Sequence, residues 1–261
     1  MTWLRVRTAV LLAVLAAAVS LVAADLPFVG QWKINVAKSN YGEFTITYAA
    51  VGPGEMQWTA DGMTMKFKID GKDYPDPVGG TAAWKQIDAS SWETVNKLKA
   101  KVVSTDVSRL SADGKTLTVV SKGTRPNGKA FEDEYVLARV SGGPGLPGKW
   151  KASKVSYSAP SLVDFAAYET DGLTRRNVDM GSTWSAKFDG KDNPVTGPNV
   201  PDGFTIALKK TGPSSFDYVE KHNGKELYKG TYTVSADGKT ITVVEAAVGT
   251  NEKMTSVYDR Q

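Results

Sequence analysis

The chain contains one histidine, His222, and no cysteine. A Ser–His–Asp nucleophile would have to use that single imidazole, held by a packed serine and carboxylate. His222 lies in Lys221-His222-Asn223-Gly224, and Asn-Gly marks a tight hairpin turn, so it reads as a solvated tip residue. A zinc site needs several His, Cys or carboxylate ligands at close quarters, which this composition does not supply. The carboxylates Glu93, Asp217, Glu132 and Glu134 are scattered along predicted strand faces and form no recognisable acid/base pair. The sharpest polar element is Asp-Gly-Lys-Asp-x-Pro, present as Asp70, Lys72, Asp73, Pro75 and again as Asp189, Lys191, Asp192, Pro194. It lacks the alternating oxygen donors and distal Glu of a calcium loop. It reads as a turn in which Lys pairs with Asp and Pro guards an edge, with Asp73 and Asp192 as candidate ligand-facing carboxylates. Trp58 and Trp184 flank these loops and are the best candidates for lining a cavity or cleft. The chemistry on offer is therefore non-covalent: no catalytic residue, metal site or cofactor is assigned, and the chain reads as a non-enzyme.

The elements that must position these residues occur twice. Gly30-Gln31-Trp32-Lys33 returns as Gly148-Lys149-Trp150-Lys151, Ile69 to Pro75 as Phe188 to Pro194, and Ser111 to Val120 as Ser235 to Val244, at offsets of 118, 119 and 124 residues. The colinear order defines two copies, 25–142 and 143–261. The Gly/Pro-rich stretch Ser141 to Gly148 reads as the boundary between them. Copies of about 118 residues bury enough surface to fold on their cores alone, which they must do without disulfides.

Thr45 to Tyr48, Met63 to Ile69 and Thr116 to Val119 alternate polar and apolar residues, as half-buried strands do. Asp61-Gly62, Asp70-Gly71, Asp113-Gly114, Asn127-Gly128 and their counterparts in the second copy separate the strands. Such turns join antiparallel neighbours. No stretch after residue 24 shows a convincing helical stripe; Asp164 to Tyr168 could be tried as one, but Ser161 to Thr170 reads as well as a strand. The fold class is all-β: two tandem antiparallel meander β-barrels, each of about eight or nine strands, closed because closure removes sheet edges. A two-sheet sandwich and one large barrel from both copies are the alternatives, and two small barrels are preferred because each copy has its own start and end motif. Trp92 matches Phe216 and Trp84 matches Leu208 between copies, which is what a shared core requires.

Residues 1–24 read as a secretory signal: Arg5 and Arg7, an apolar run from Ala9 to Val22, and cleavage after Ala24, so the protein is expected to be secreted or periplasmic. No later segment is long and apolar enough to span a bilayer as a helix. The 32 Lys+Arg and 28 Asp+Glu give +4; without Arg5 and Arg7 the balance is 30 against 28, or +2. With no long basic block, nucleic acid is not an expected partner, and the chain is expected to be monomeric.

The Gly30-x-Trp32 and Gly148-x-Trp150 starts resemble those of the calycins, the lipocalins and fatty-acid-binding proteins. That group commonly lays an Arg from the end of the barrel across the Trp. The resemblance therefore implies structural Trp/Arg pairs made from Trp32, Arg139, Trp150 and Arg260. Phe28-Val29-Gly30-x-Trp32-Lys33 with Lys38-Ser39, and Lys187 to Asp192 with Pro194, are similar to secreted, uncharacterised bacterial lipocalin-like proteins. The Arg-x-Tyr that clamps a carboxylate in fatty-acid-binding proteins is absent: Tyr135-x-Leu137 and Ser256-x-Tyr258 stand there. The resemblance thus implies a binding protein that holds a small apolar or amphipathic ligand in one or both barrels. The competing expectation is a cell-envelope module with filled barrels that contacts another protein or a glycan.

Overall fold

The structure, a computed structural model, describes residues 26–40, 44–158 and 161–261. The signal segment 1–24 and its cleavage point lie outside the described residues. Every regular element among the described residues is a strand. The first ten are β1 (Gly30–Ile34), β2 (Thr45–Gly52), β3 (Glu55–Ala60), β4 (Met63–Lys68), β5 (Asp73–Pro75), β6 (Thr81–Asp88), β7 (Ser91–Leu98), β8 (Lys101–Leu110), β9 (Thr116–Thr124) and β10 (Ala130–Ser141). The second ten are β11 (Gly148–Ser156), β12 (Leu162–Ala167), β13 (Gly172–Asn177), β14 (Ser182–Lys187), β15 (Asn193–Thr196), β16 (Phe204–Gly212), β17 (Ser215–His222), β18 (Lys225–Val234), β19 (Thr240–Ala247) and β20 (Lys253–Arg260).

They form two antiparallel, barrel-shaped sheets of ten strands each. The expected eight or nine strands fall short because β5 and β15 are only three and four residues long, too short to display an alternation.

The copies and the barrels do not coincide. The first barrel runs β4-β3-β2-β11-β10-β9-β8-β7-β6-β5, and the second closes as β1-β12-β13 through β20 and back to β1. Each copy's first strand thus completes the other copy's barrel. β1 pairs with β12 and β20, while β11 pairs with β10 and β2. The stretch from Ser141 to Gly148 is consequently a hairpin inside the first barrel. Gly142 and Gly145 take positive φ there, and a short turn between consecutive strands makes them antiparallel partners. The crossings between barrels fall between β1 and β2 and between β11 and β12, so the copies 25–142 and 143–261 each contribute to both barrels.

The exchange is locked by the Trp/Arg pairs. The Arg260 guanidinium lies 4.0 Å above the Trp32 ring, and Arg139 lies 4.0 Å above Trp150; each Trp is covered by the other copy's Arg. Arg260 also donates to the carbonyls of Val29, Pro27 and Gly238, at 2.8, 2.7 and 2.6 Å. Arg139 donates to those of Pro147, Gly145 and Gly114 at 2.8, 2.6 and 2.5 Å. Both tryptophans are fully buried, their indole N–H groups donating to Phe28 and Leu146. The repeated Ser-Ala-Asp-Gly-Lys-Thr turn serves this arrangement. Asp113 and Asp237 accept from Ser111 and Ser235 and from the amides of Lys115 and Lys239. The turn so fixed presents Gly114 O and Gly238 O to the arginines.

The glycine of Gly-x-Trp has a steric reason. Gly30 and Gly148 have φ of +129° and +151°, and a Cβ on either would stand 2.8 or 2.7 Å from the crossing arginine's Nη1. Gly30→Ala is expected to displace Arg260 from Trp32 and to cost roughly 1–3 kcal/mol through backbone strain and the lost stack. Chemical denaturation measures it, and unchanged stability would remove this account of the motif.

Side contacts join the barrels: Glu252 accepts from Thr45, Asp61 from Tyr228, and Asp179 from Asn127, while Lys99 pairs with Asp202 at 2.8 Å.

A candidate ligand cavity in the first barrel

The two interiors differ because residues at matching register positions differ in size. Trp84 pairs with Thr94 and Thr94 with Asp106; in the second barrel the same row is Leu208, Tyr218 and Gly230. One row along, Trp92 faces Ser108, where Phe216 faces Tyr232. On the opposite wall, Tyr48, Trp58 and Met65 correspond to Phe165, Arg175 and Trp184.

The second barrel is therefore occupied by its own side chains. Tyr232 stacks on Phe216 at 4.8 Å and meets Phe165 at 5.9 Å and Tyr218 at 5.3 Å. Trp184 packs edge-on to Phe165. Gly230 has no side chain because the Tyr218 ring covers it; a Cβ there would stand 2.6 Å from the ring. Tyr218 donates to Glu245. Glu220 shares this interior. Burial, then the neighbouring Glu245 charge, push its carboxyl above the usual range against the pull of Arg175.

A carboxyl whose pKa is raised on folding favours the native state while it is protonated, and that advantage is lost as pH rises from the unfolded to the native value. Stability is thus expected to fall as pH climbs past about 4.3, the ordinary Glu value. Glu220→Gln should flatten that fall in a series of thermal melts. An unchanged slope would assign it to other groups, of which Asp61, also raised by burial, is one.

In the first barrel, Thr94, Ser108 and Ala82 stand where the second has Tyr218, Tyr232 and Ile206. The missing volume is a cavity of ≈ 340 Å³. Apolar and aromatic side chains make most of its wall, among them Tyr48, Trp58, Met65, Trp84 and Tyr135. Trp84 is itself fixed by stacking on Phe67 at 4.5 Å and by an edge contact with Tyr48. Its indole N–H is buried without a hydrogen-bond partner among the described residues.

A polar strip runs down one side. Asp106 accepts from Asn96 at 2.7 Å and from Ser121 at 2.6 Å, with Thr94 and Ser108 on either side. Burial, with the charges of Asp133 and Asp106, pushes the Tyr135 hydroxyl up to about 12, so it is a neutral hydroxyl at neutral pH.

The rim of the cavity also follows from sequence. In the second barrel β14 pairs with β15 through Thr183–Thr196 and Trp184–Val195. Counting from the shared Pro75 and Pro194, the matching residues in the first copy are Asp76 and Pro77. Pro77 has no N–H to give a ladder. Asp76 turns its carboxylate onto the amides of Val78 and Gly80, at 2.8 and 2.9 Å. Strand β5 therefore stops at Pro75, β4 and β5 are not paired, and Asp76, Pro77 and Val78 border the cavity.

The residues singled out from sequence go to different places. Trp58 lines the cavity. Trp184 is buried in the packed second barrel at the position of Met65; the two tryptophans are not equivalents. Asp73 and Asp192 pair with Lys97 and Lys221 on the outer surface, at 2.8 and 2.9 Å, tying β5 to β7 and β15 to β17. Neither lines the cavity. Asp70 and Asp189 accept from the amides of Lys72 and Lys191, which hold both carboxyls below their ordinary value. His222 stacks on Phe204 and contacts the Asp202 carbonyl. Sequence reasoning missed Trp84 as a lining residue, along with Tyr48, Asp106 and Asn96. The signal for them was a size mismatch between copies, Thr94 against Tyr218, two positions beyond the recognised Trp92/Phe216 pair.

No protein-family model matches the chain, and no curated protein sequence matches it. No helix among the described residues is long and apolar enough to cross a membrane.

Proposed function

We propose that the chain is a lipocalin-like, non-enzymatic binding protein that holds one small apolar or amphipathic molecule in the first barrel. The carrying observation is the ≈ 340 Å³, largely apolar cavity lined from β2 to β4 and from β6 to β10, a size and lining suited to a small ligand. The second barrel acts as a packed scaffold. Its exchanged strand β1 and the reciprocal β11 hold the two units together. The likeness to calycins rests on the Gly-x-Trp starts and their crossing arginines, and the basic and apolar start of the chain supports export to the periplasm or beyond.

Native mass spectrometry of the protein purified from its own cell envelope is the direct test. One retained small-molecule adduct per chain is expected. A bare mass, together with no uptake of an apolar fluorescent probe, would overturn the reading. The filled second barrel favours a companion role for that unit, as a surface for an envelope protein or glycan. Pull-down with the Ser108→Tyr variant, whose cavity is reduced, would retain such a partner.

A further inference from the structure

We propose that the cavity selects a protonated amine carried on an apolar body, and rejects carboxylates. The inference rests on the ligand-binding reading above and specifies its chemistry. Two carboxylates, Asp106 and Asp76, border the cavity, and among the described residues its lining includes no Lys, Arg or His. The rings of Tyr48, Trp58, Trp84 and Tyr135 line the same cavity. Aromatic faces and carboxylates together form the environment that stabilises an organic ammonium, the rings through their negative faces and the acid through its charge.

Asp106 is prepared for this. Asn96 and Ser121 each donate to one of its oxygens, which fixes the carboxylate and leaves lone pairs on both oxygens for a further donor. Enclosing a carboxylate beside apolar rings is costly without a countercharge, and a ligand cation offsets that cost on entry. A fatty carboxylate would instead bring a like charge into the same enclosure.

The test is a head-group series at neutral pH on the full chain: octylamine, octanol and octanoate, each read by titration calorimetry and by displacement of an apolar dye. Octylamine is expected to bind at least about tenfold more tightly than octanol, with octanoate weakest. Asp106→Asn should lower octylamine affinity at least about tenfold more than octanol affinity, closing the gap between the two. Equal affinities, or tightest binding of octanol or octanoate, would overturn the selection and leave the binding reading standing. Failure of all three ligands and of the dye would overturn both. The ranking on the unmutated protein decides the question even if the variant does not fold.

Discussion

The triple variant Thr94→Tyr/Asp106→Gly/Ser108→Tyr is expected to fold normally and to lose ligand and dye binding by at least about a hundredfold, because the apolar surface the ligand would bury is then covered by the protein's own rings. The second barrel demonstrates the geometry with Tyr218, Gly230 and Tyr232. There, Tyr232 sits against Phe165 and Phe216, whose counterparts in the first barrel are Tyr48 and Trp92. The substitutions must be coupled. Tyr218 lies so close over Gly230 that a Cβ would stand 2.6 Å from its ring, so Thr94→Tyr alone drives a ring into Asp106. That single change should destabilise by roughly 1–3 kcal/mol as overpacking does, and Asp106→Gly should recover much of the loss, a non-additivity typical of touching residues. Thermal melts give the stabilities and dye titration the binding. Full binding by a folded triple variant would show that the ligand lies elsewhere.

The second large effect tests the strand exchange. Trp32→Ala removes a fully buried indole and should cost about 3–5 kcal/mol. Although Trp32 belongs to the first copy, the loss is expected in the second barrel, where β1 bridges β12 and β20. Hydrogen exchange should show the amides of β12, β19 and β20 losing protection while those of β6 to β9 keep theirs. Trp150→Ala should give the mirror result, exposing β2 and β10 and weakening dye binding. If Trp32→Ala exposed β2 and β10 instead, each copy would be closing its own barrel.

The exchange was not legible in the sequence, and the reason is physical. Both copies begin with Gly-x-Trp-Lys, and both end on a strand that carries an Arg at the matching place, so either first strand satisfies either barrel locally. What was legible was the part that local chemistry dictates. Asx-Gly turns made the strands antiparallel, period-two alternation placed Leu117 and Ile241 in the cores, where both are fully buried, and the match of Trp92 with Phe216 gave a correct inter-copy alignment. The cavity lay just beyond that alignment. Trp58 was found because it flanks the repeated Asp-Gly-Lys-Asp loop and has no matching large apolar residue to claim it for the core. Its partner was misassigned, since Trp184 answers to Met65 and it is Arg175 that occupies the place of Trp58. The open seam at Asp76-Pro77 is written in a proline, but its meaning depends on β14 and β15 being paired in the other copy.

The crossing of the chain also sets the order in which the molecule can be completed. The first barrel has all its strands once residue 156 is available, since β11 simply folds back on β10. The second cannot close until Arg260 meets Val29, partners separated by 231 positions. β1 thus finds its first partner, β12, only after the first barrel's strands have been made, and its second, β20, only at the end. Loop closure over such a distance is slow. During that interval β12 and β20 present free edges, the state in which a neighbouring chain's β1 could pair in its stead.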